Sequence, residues 1–165
     1  MNAPLHTSYT NELTPEILSS LDVSPFTEEQ IAQSSEEIRA IMLQQRAYLE
    51  THRPCAIYRL ATEGSQTRDG GVIERATSPL VITLDCGREV CVAQKGDCVV
   101  YPDGSSTQIV TCAGESNSHL ALVGSRLCNG DEIVNTLQGS VLIIRREGES
   151  MPDDFLPLLK GEENQ

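Results

Sequence analysis

The chain has 165 residues, enough for one domain or one small domain with an appendage, and a hydrophobic content of 39% supports a packed core. Four Tyr, two Phe and no Trp make that core aliphatic. A net charge of −12 argues against nucleic acid and acidic membrane surfaces as partners, because both attract basic faces.

The acidity is carried by the flanks. Residues 1–54 hold eight acidic and three basic side chains, residues 55–146 ten and eight, and residues 147–165 six and one. The opening MNAPLHTSYTNELTPE lacks both the basic and the apolar stretch of a signal peptide. No apolar run approaches the ~18–20 residues that cross a bilayer. The expectation is a protein made in the cytoplasm, with reduced cysteines and no stable membrane anchoring.

In chain order, residues 1–54 read as a helical extension. Thr14-Pro15-Glu16 places an N-cap before a proline at the first helical position and predicts a short helix over EILSSL. Thr27-Glu28-Glu29-Gln30 matches the capping box, with Phe26 and Ile31 as a hydrophobic staple. Ile31, Ile38, Ile41, Met42, Tyr48 and Leu49 then recur near helical spacing, so one long helix is expected over about 28–52, ended by Pro54. Its apolar stripe is expected to pack on the same chain, with a second copy or a partner as the alternatives.

Residues 55–146 read as mainly β. AIYRL, GVIER, LVITL, EVCVA, CVVY, TQIVT, LALV, EIVNT and VLIIR are short runs rich in Val, Ile and Thr. Asp69-Gly70, Asp103-Gly104 and Asn129-Gly130 favour positive φ and mark reversals, and DCGRE between two runs reads as a hairpin loop. Cys55, Cys86, Cys91, Cys98, Cys112 and Cys128 all lie in this part without a C-x-x-C pair. Most sit beside aliphatic residues, where a thiol is expected to act as a small buried hydrophobe. Residues 147–165 read as a short acidic tail in which Phe155, Leu156, Leu158 and Leu159 could dock.

The middle part writes one turn three times. Ala61, Ala93 and Ala121 each stand three residues before Gly64, Gly96 and Gly124, which precede Ser65, Asp97 and Ser125. The reversals at Gly70, Gly104 and Gly130 follow, then Val72-Ile73, Ile109-Val110 and Ile133-Val134. Repeats of this kind bury their apolar sides against one another, so three copies predict a closed arrangement with approximate threefold symmetry.

A-x-x-G-[SD], a turn and an apolar strand, three times between residues 55 and 146, resembles the PAAR-repeat family. DGGVI at Asp69 resembles that family's H-G-G-x-I, although Cys91-Val92-Ala93-Gln94 stands where the Pro-Ala-Ala-Arg tetrapeptide would be. The resemblance implies a compact cone of short strands with threefold pseudo-repeats, preceded by the helical extension. It implies a structural protein, the spike tip of a type VI secretion system or related contractile injection system. Its partner would be a trimeric β-helical spike in a 1:3 complex, sharpened for membrane piercing. An effector or adaptor would attach through the N-terminal helix, and the protein would be delivered outside the cell or into a target cell. Secretion system and phage-like tail both stay open. The residues by themselves leave a second reading, a stand-alone β module that serves as adaptor or chaperone through its N-terminal helix.

The resemblance also implies a tip zinc held by histidines and a cysteine in the three loops. The matching positions are Asp69, Tyr101 or Asp103, and Asn129, none of them an imidazole or thiolate. No metal and no other cofactor is therefore expected, with Asp and Asn side chains capping turn amides instead. A zinc site would need Cys98, Cys112, Cys128 or His119, since His6 and His52 lie outside the β part. No G-x-S-x-G, H-E-x-x-H or phosphate-binding loop occurs. Cys128 with His119 is the one conceivable nucleophile and base; Asp69, Asp97, Asp103 and Asp131 could cluster at the loop end, but the favoured reading is exposed turn acids. No catalytic residue and no enzyme activity is expected.

Overall fold

A computed structural model describes residues 8–22 and 25–157; His6, Leu158 and Leu159 fall outside them. The chain forms two compact units. Among the described residues, one holds 8–11, Tyr58–Ile143 and 151–157, and the other holds the described part of Glu12–Ile57 with Ile144–Ser150. Residues 8–11, and 151–157 of the acidic tail, therefore belong to the unit that contains the repeats. No helix among the described residues is long and apolar enough to cross a membrane.

In the helical unit, α1 (Pro15–Leu21) starts at the expected cap, where the Thr14 hydroxyl accepts from the Ile17 amide at 3.2 Å. The capping box also forms, Gln30 N donating to Thr27 Oγ1 at 3.0 Å and Thr27 N to Gln30 Oε1 at 2.9 Å. The long helix over 28–52 does not. It breaks at Ser34–Ser35 into α2 (Glu28–Gln33) and α3 (Glu36–Thr51). Ser35 Oγ accepts from Ile38 N at 3.3 Å as a new N-cap, and Arg39 bonds the carbonyls of Ile31, Ala32 and Ser34 that end α2. Serine competes with the helix for backbone partners, and here two in succession win. The apolar stripe is divided as well: Ile31 of α2 and Met42 of α3 are buried, whereas Ile38, Ile41 and Tyr48 of α3 are exposed.

Strand β1 (Pro54–Arg59) pairs with β6 (Leu142–Arg146), β2 (Val81–Thr83) with β3 (Glu89–Cys91), and β4 (Cys98–Val100) with β5 (Ser106–Gln108). The DCGRE hairpin forms as expected, with Ile82 opposite Val90. GVIER, LALV and EIVNT contribute single bridges rather than strands, because a reversal every few residues leaves no room for a longer ladder.

Those bridges join the three copies in a cycle. Ala61 N donates to Ala121 O at 2.9 Å, Ala121 N to Ala93 O at 2.8 Å, and Ala93 N to Ala61 O at 2.9 Å. Nearer the reversals, Val72 bridges Val100, Ile109 bridges Leu127, and Ile133 bridges Thr67, so each copy touches both others. Within each copy the Gly64, Gly96 or Gly124 amide donates to Ile73, Ile109 or Ile133 at 2.8 Å. These glycines have φ of 93°, 94° and 103°, a region that penalises a side chain, which is why glycine recurs there.

Serine or aspartate follows that glycine for an equally local reason. Ser65 Oγ, Asp97 Oδ2 and Ser125 Oγ accept from the amide three residues upstream, at 3.0, 3.0 and 2.9 Å. The core is layered by repeat position. Ala61, Ala93 and Ala121 pack in one cluster with Ile73, Ile109 and Ile133, and small alanines let three backbones approach closely enough to bond. A second cluster, around Leu60, Ile82, Val90, Val92 and Leu122, takes in Phe155 from the tail. Phe155 meets the Tyr58 ring edge-on at 4.8 Å, and Leu156 N donates to Cys112 O. At the other terminus Asn11 bonds Arg59 N and Val123 O, and the Arg59 guanidinium lies over the Tyr9 ring.

All six cysteines are free. The expectation of buried thiols holds for Cys112 alone. Cys91 is half-buried; Cys55 and Cys98 are exposed because neighbours of an inward aliphatic residue in a strand point outward, and Cys86 and Cys128 are exposed in turns.

Candidate functional site

The reversals at Gly70, Gly104 and Gly130 lie on one end of the repeat unit. Each closes with the same two backbone bonds: Thr67 N to Gly71 O and Gly70 N to Thr67 O, then Tyr101 N to Ser105 O and Gly104 N to Tyr101 O, then Leu127 N to Asp131 O and Gly130 N to Leu127 O. Asp69, Tyr101, Asp103 and Asn129, the positions matched to the family's metal ligands, do come together there. With Pro102 and Ser105 they line an open concavity of about 330 Å³.

Beneath them lies Asp131, a residue read from sequence as an exposed turn acid but wholly buried in the structure. Its carboxylate ties the three copies together. Tyr101 Oη from the second copy donates to Oδ2 at 2.6 Å, and Asp69 N from the first donates to Oδ1 at 3.1 Å. Glu132 N, next in its own chain, donates to Oδ1 at 2.7 Å. Asn129 completes the brace, its side-chain amide donating to Tyr101 Oη at 3.0 Å and its Oδ1 accepting from Asp131 N at 3.0 Å. Burial pushes the Asp131 carboxyl up, but the Thr67 and Tyr101 hydroxyls and the amides of Glu132 and Asp69 outweigh it, leaving it below the ordinary carboxylate range. Burial and the bond to Asp131 raise the Tyr101 phenol. Among the described residues no buried side-chain nitrogen or oxygen lacks a partner.

Asp97 corrects the same expectation, being buried where an exposed acid was read. Besides its turn cap it accepts from Thr77 N at 3.0 Å and Thr77 Oγ1 at 2.5 Å, holding the excursion that follows the first copy. Asp69 and Asp103 are exposed as expected. Asp103 Oδ1 caps its own turn through Ser105 N at 2.9 Å and Ser105 Oγ at 2.6 Å, which lowers its carboxyl.

These groups do not suit zinc. The loop end offers hard oxygens where zinc takes imidazole and thiolate, and both Asp131 oxygens are already committed to donors. Among the described residues no group of three His, Cys, Asp or Glu could hold a metal. Cys98 and Cys128 flank Gln108, one as its strand partner and one through its amide, with both thiols turned to solvent. His119 finds Cys112 rather than Cys128, with Nδ1 at 3.8 Å from Sγ. The chemistry available at the loop end is bracing: a carboxylate of lowered pKa with its acceptors filled is a poor base.

In the sequence Asp131 is one of four carboxylates that could cluster at the loop end and is taken for an exposed turn acid, while Pro102 and Ser105 are not singled out. The one available signal was position, since Asp131 follows its turn glycine directly where the other copies carry Gly71 and Ser105. Comparison of the chain with protein-family models, curated protein sequences and solved structures finds no match to any of them.

Proposed function

We propose that the repeat unit is the capping tip of a contractile injection spike: a small cone that sits on the blunt end of a trimeric β-helical partner and sharpens it. The observation that carries this reading is the cycle of alanine bonds, Ala61 to Ala121 to Ala93 and back. A single chain that closes on itself in three similar steps offers three similar faces to three identical chains. The end away from the turns would pair strand edges with the spike and cover apolar surface, which also protects those edges from aggregation. The loop end would be the point, made compact by three tight reversals and rigid by Asp131. The role is structural and needs neither catalysis nor a metal.

The test is assembly with a purified trimeric spike protein from a contractile system. Light scattering after size exclusion is expected to give one copy of this chain per spike trimer. Separate elution of the two at micromolar concentration would refute the proposal.

A further inference from the structure

Leu60, Val92 and Leu122, in the second apolar cluster, are each next in sequence to one of the cycling alanines, which lie in the first. The first cluster also holds Ile73, Ile109 and Ile133 and takes in Tyr101 from the loop end. The second therefore lies across the alanine cycle from the reversals, at the end that the spike-tip reading seats on its partner. That end already has an occupant. Phe155 of the tail is buried in the second cluster, with Met151 and Leu156 packed against it. Tyr58, Leu120, Leu137 and Ile143 are only partly buried there, so the tail covers the apolar surface incompletely.

The hold of the tail is narrow and strained. In residues 151–157 only Phe155 is buried, and Pro152, Asp153, Asp154 and Pro157 are exposed. The segment bonds to the repeats through Leu156 N, which donates to Cys112 O at 2.8 Å, and through Asp154 Oδ2, which accepts from Glu115 N at 2.8 Å. A side chain at position 114 would strike the Asp154 carboxylate, and glycine stands there. Among the described residues, the non-glycine positions with positive φ are Ser118, His119 and Leu156, at 56°, 54° and 44°. All three lie in the tail or in the loop on which it docks. Such backbone persists only where its surroundings impose it, and it gathers at segments that switch.

We propose that the tail is a strap: Phe155 and Leu156 close the base of the free protein, and they lift when the trimeric spike seats there. The inference rests on the spike-tip reading and adds to it the control of docking. Strap and spike cover the same apolar residues, so a ligand that takes one arrangement draws the population out of the other. Affinity for the spike is then reduced by the fraction of molecules in which the strap is closed, and loosening the strap raises it.

Two variants of the full chain loosen the strap by different routes. Phe155→Ala removes its buried anchor, and Asp154→Ala removes an exposed carboxylate while leaving the apolar cluster packed. Interferometry against a purified trimeric spike protein is expected to show binding about tenfold tighter than wild type for Phe155→Ala and about threefold tighter for Asp154→Ala. Should Phe155→Ala not fold, Asp154→Ala decides alone. Native-state hydrogen exchange on the wild type needs no spike. The Leu156 amide is expected to exchange at least about a hundredfold faster than the amides of Ala61, Ala93 and Ala121, because the strap opens without global unfolding. Binding that is unchanged or weaker in the variants overturns the strap and leaves the spike-tip reading standing, as does a Leu156 amide as slow as the alanines. Absence of binding by wild type and variants alike overturns the spike-tip reading, and the strap with it.

Discussion

Removing the Asp131 carboxylate tests how the three copies are held together. It receives three donors within 3.1 Å, from Tyr101, Asp69 and Glu132. Hydrogen bonds to a charged group contribute about 1.5–3 kcal/mol each, which would sum to roughly 4.5–9 kcal/mol if all three donors were stranded. They would not all be stranded, because Asp69 is exposed and Tyr101 half-buried, so water can reach part of the vacated site. Asp131→Ala is therefore expected to cost about 3–5 kcal/mol, near the upper end for a single substitution. At about 2–4 °C per kcal/mol for a chain of this size, the melting temperature should fall by roughly 10 °C. Asp131→Asn keeps an acceptor for the two amides and loses only the charge and one oxygen, so about 1–2 kcal/mol is expected. Combined with Tyr101→Phe it should be less than additive by about 1 kcal/mol. The pH dependence follows from the depressed pKa. The carboxylate's contribution is complete above the unfolded value of about 3.9 and is lost as pH falls through the lower folded value. The gap between wild type and Asp131→Asn should thus stay constant above about pH 5 and close only in the acid range. Denaturant melts of wild type, the three single variants and the double variant at several pH values make the measurement. Asp131→Ala within about 0.5 kcal/mol of wild type would show the carboxylate to be an ordinary turn acid and refute the reasoning.

Gly71 touches Val99, Thr67 and Tyr101, and a methyl there would overlap the Val99 side chain. Gly71→Ala is expected to cost about 2–3 kcal/mol by overpacking, against about 1 kcal/mol for Gly104→Ala, where space is open and only the positive φ resists; equal losses in thermal melts would contradict the packing argument. Asp97→Ser should restore the cap that Ser65 and Ser125 provide and forfeit only the Thr77 bonds, so its loss should be about 1 kcal/mol smaller than that of Asp97→Ala. A thiol reagent should label Cys55, Cys86, Cys98 and Cys128 readily in the native protein and Cys112 only on unfolding; rapid native labelling of Cys112 would place that thiol at the surface. Ser35→Ala should cost about 1 kcal/mol and lower the far-ultraviolet helical signal, and no change would mean that the break between α2 and α3 is not held by that cap.

The features legible in the sequence are those whose causes lie within a few residues. Thr14 and Thr27 announce their helices because a cap and its amide are three positions apart. Gly64, Gly96 and Gly124 recur because the turn demands a positive φ, and the Ser or Asp after each recurs because it caps the same turn. Composition and charge also belonged to the sequence alone, as did the triplication that predicts a closed set of three. Tertiary structure decided what depends on partners far along the chain. The alanine cycle joins residues 28 to 60 positions apart, and no local pattern states which copy bonds to which. Asp131 reads as a turn acid like Asp69 and Asp103; only the approach of Tyr101 and the Asp69 amide makes it a buried hub. The Ser34–Ser35 break folds α2 back on α3, which lets Arg39 cap the end of α2 and leaves Ile31 and Met42 buried but Ile38 and Ile41 exposed. Local propensity sets each turn. The packing of distant turns settles which polar groups leave water, since a buried carboxylate persists only where several donors converge on it.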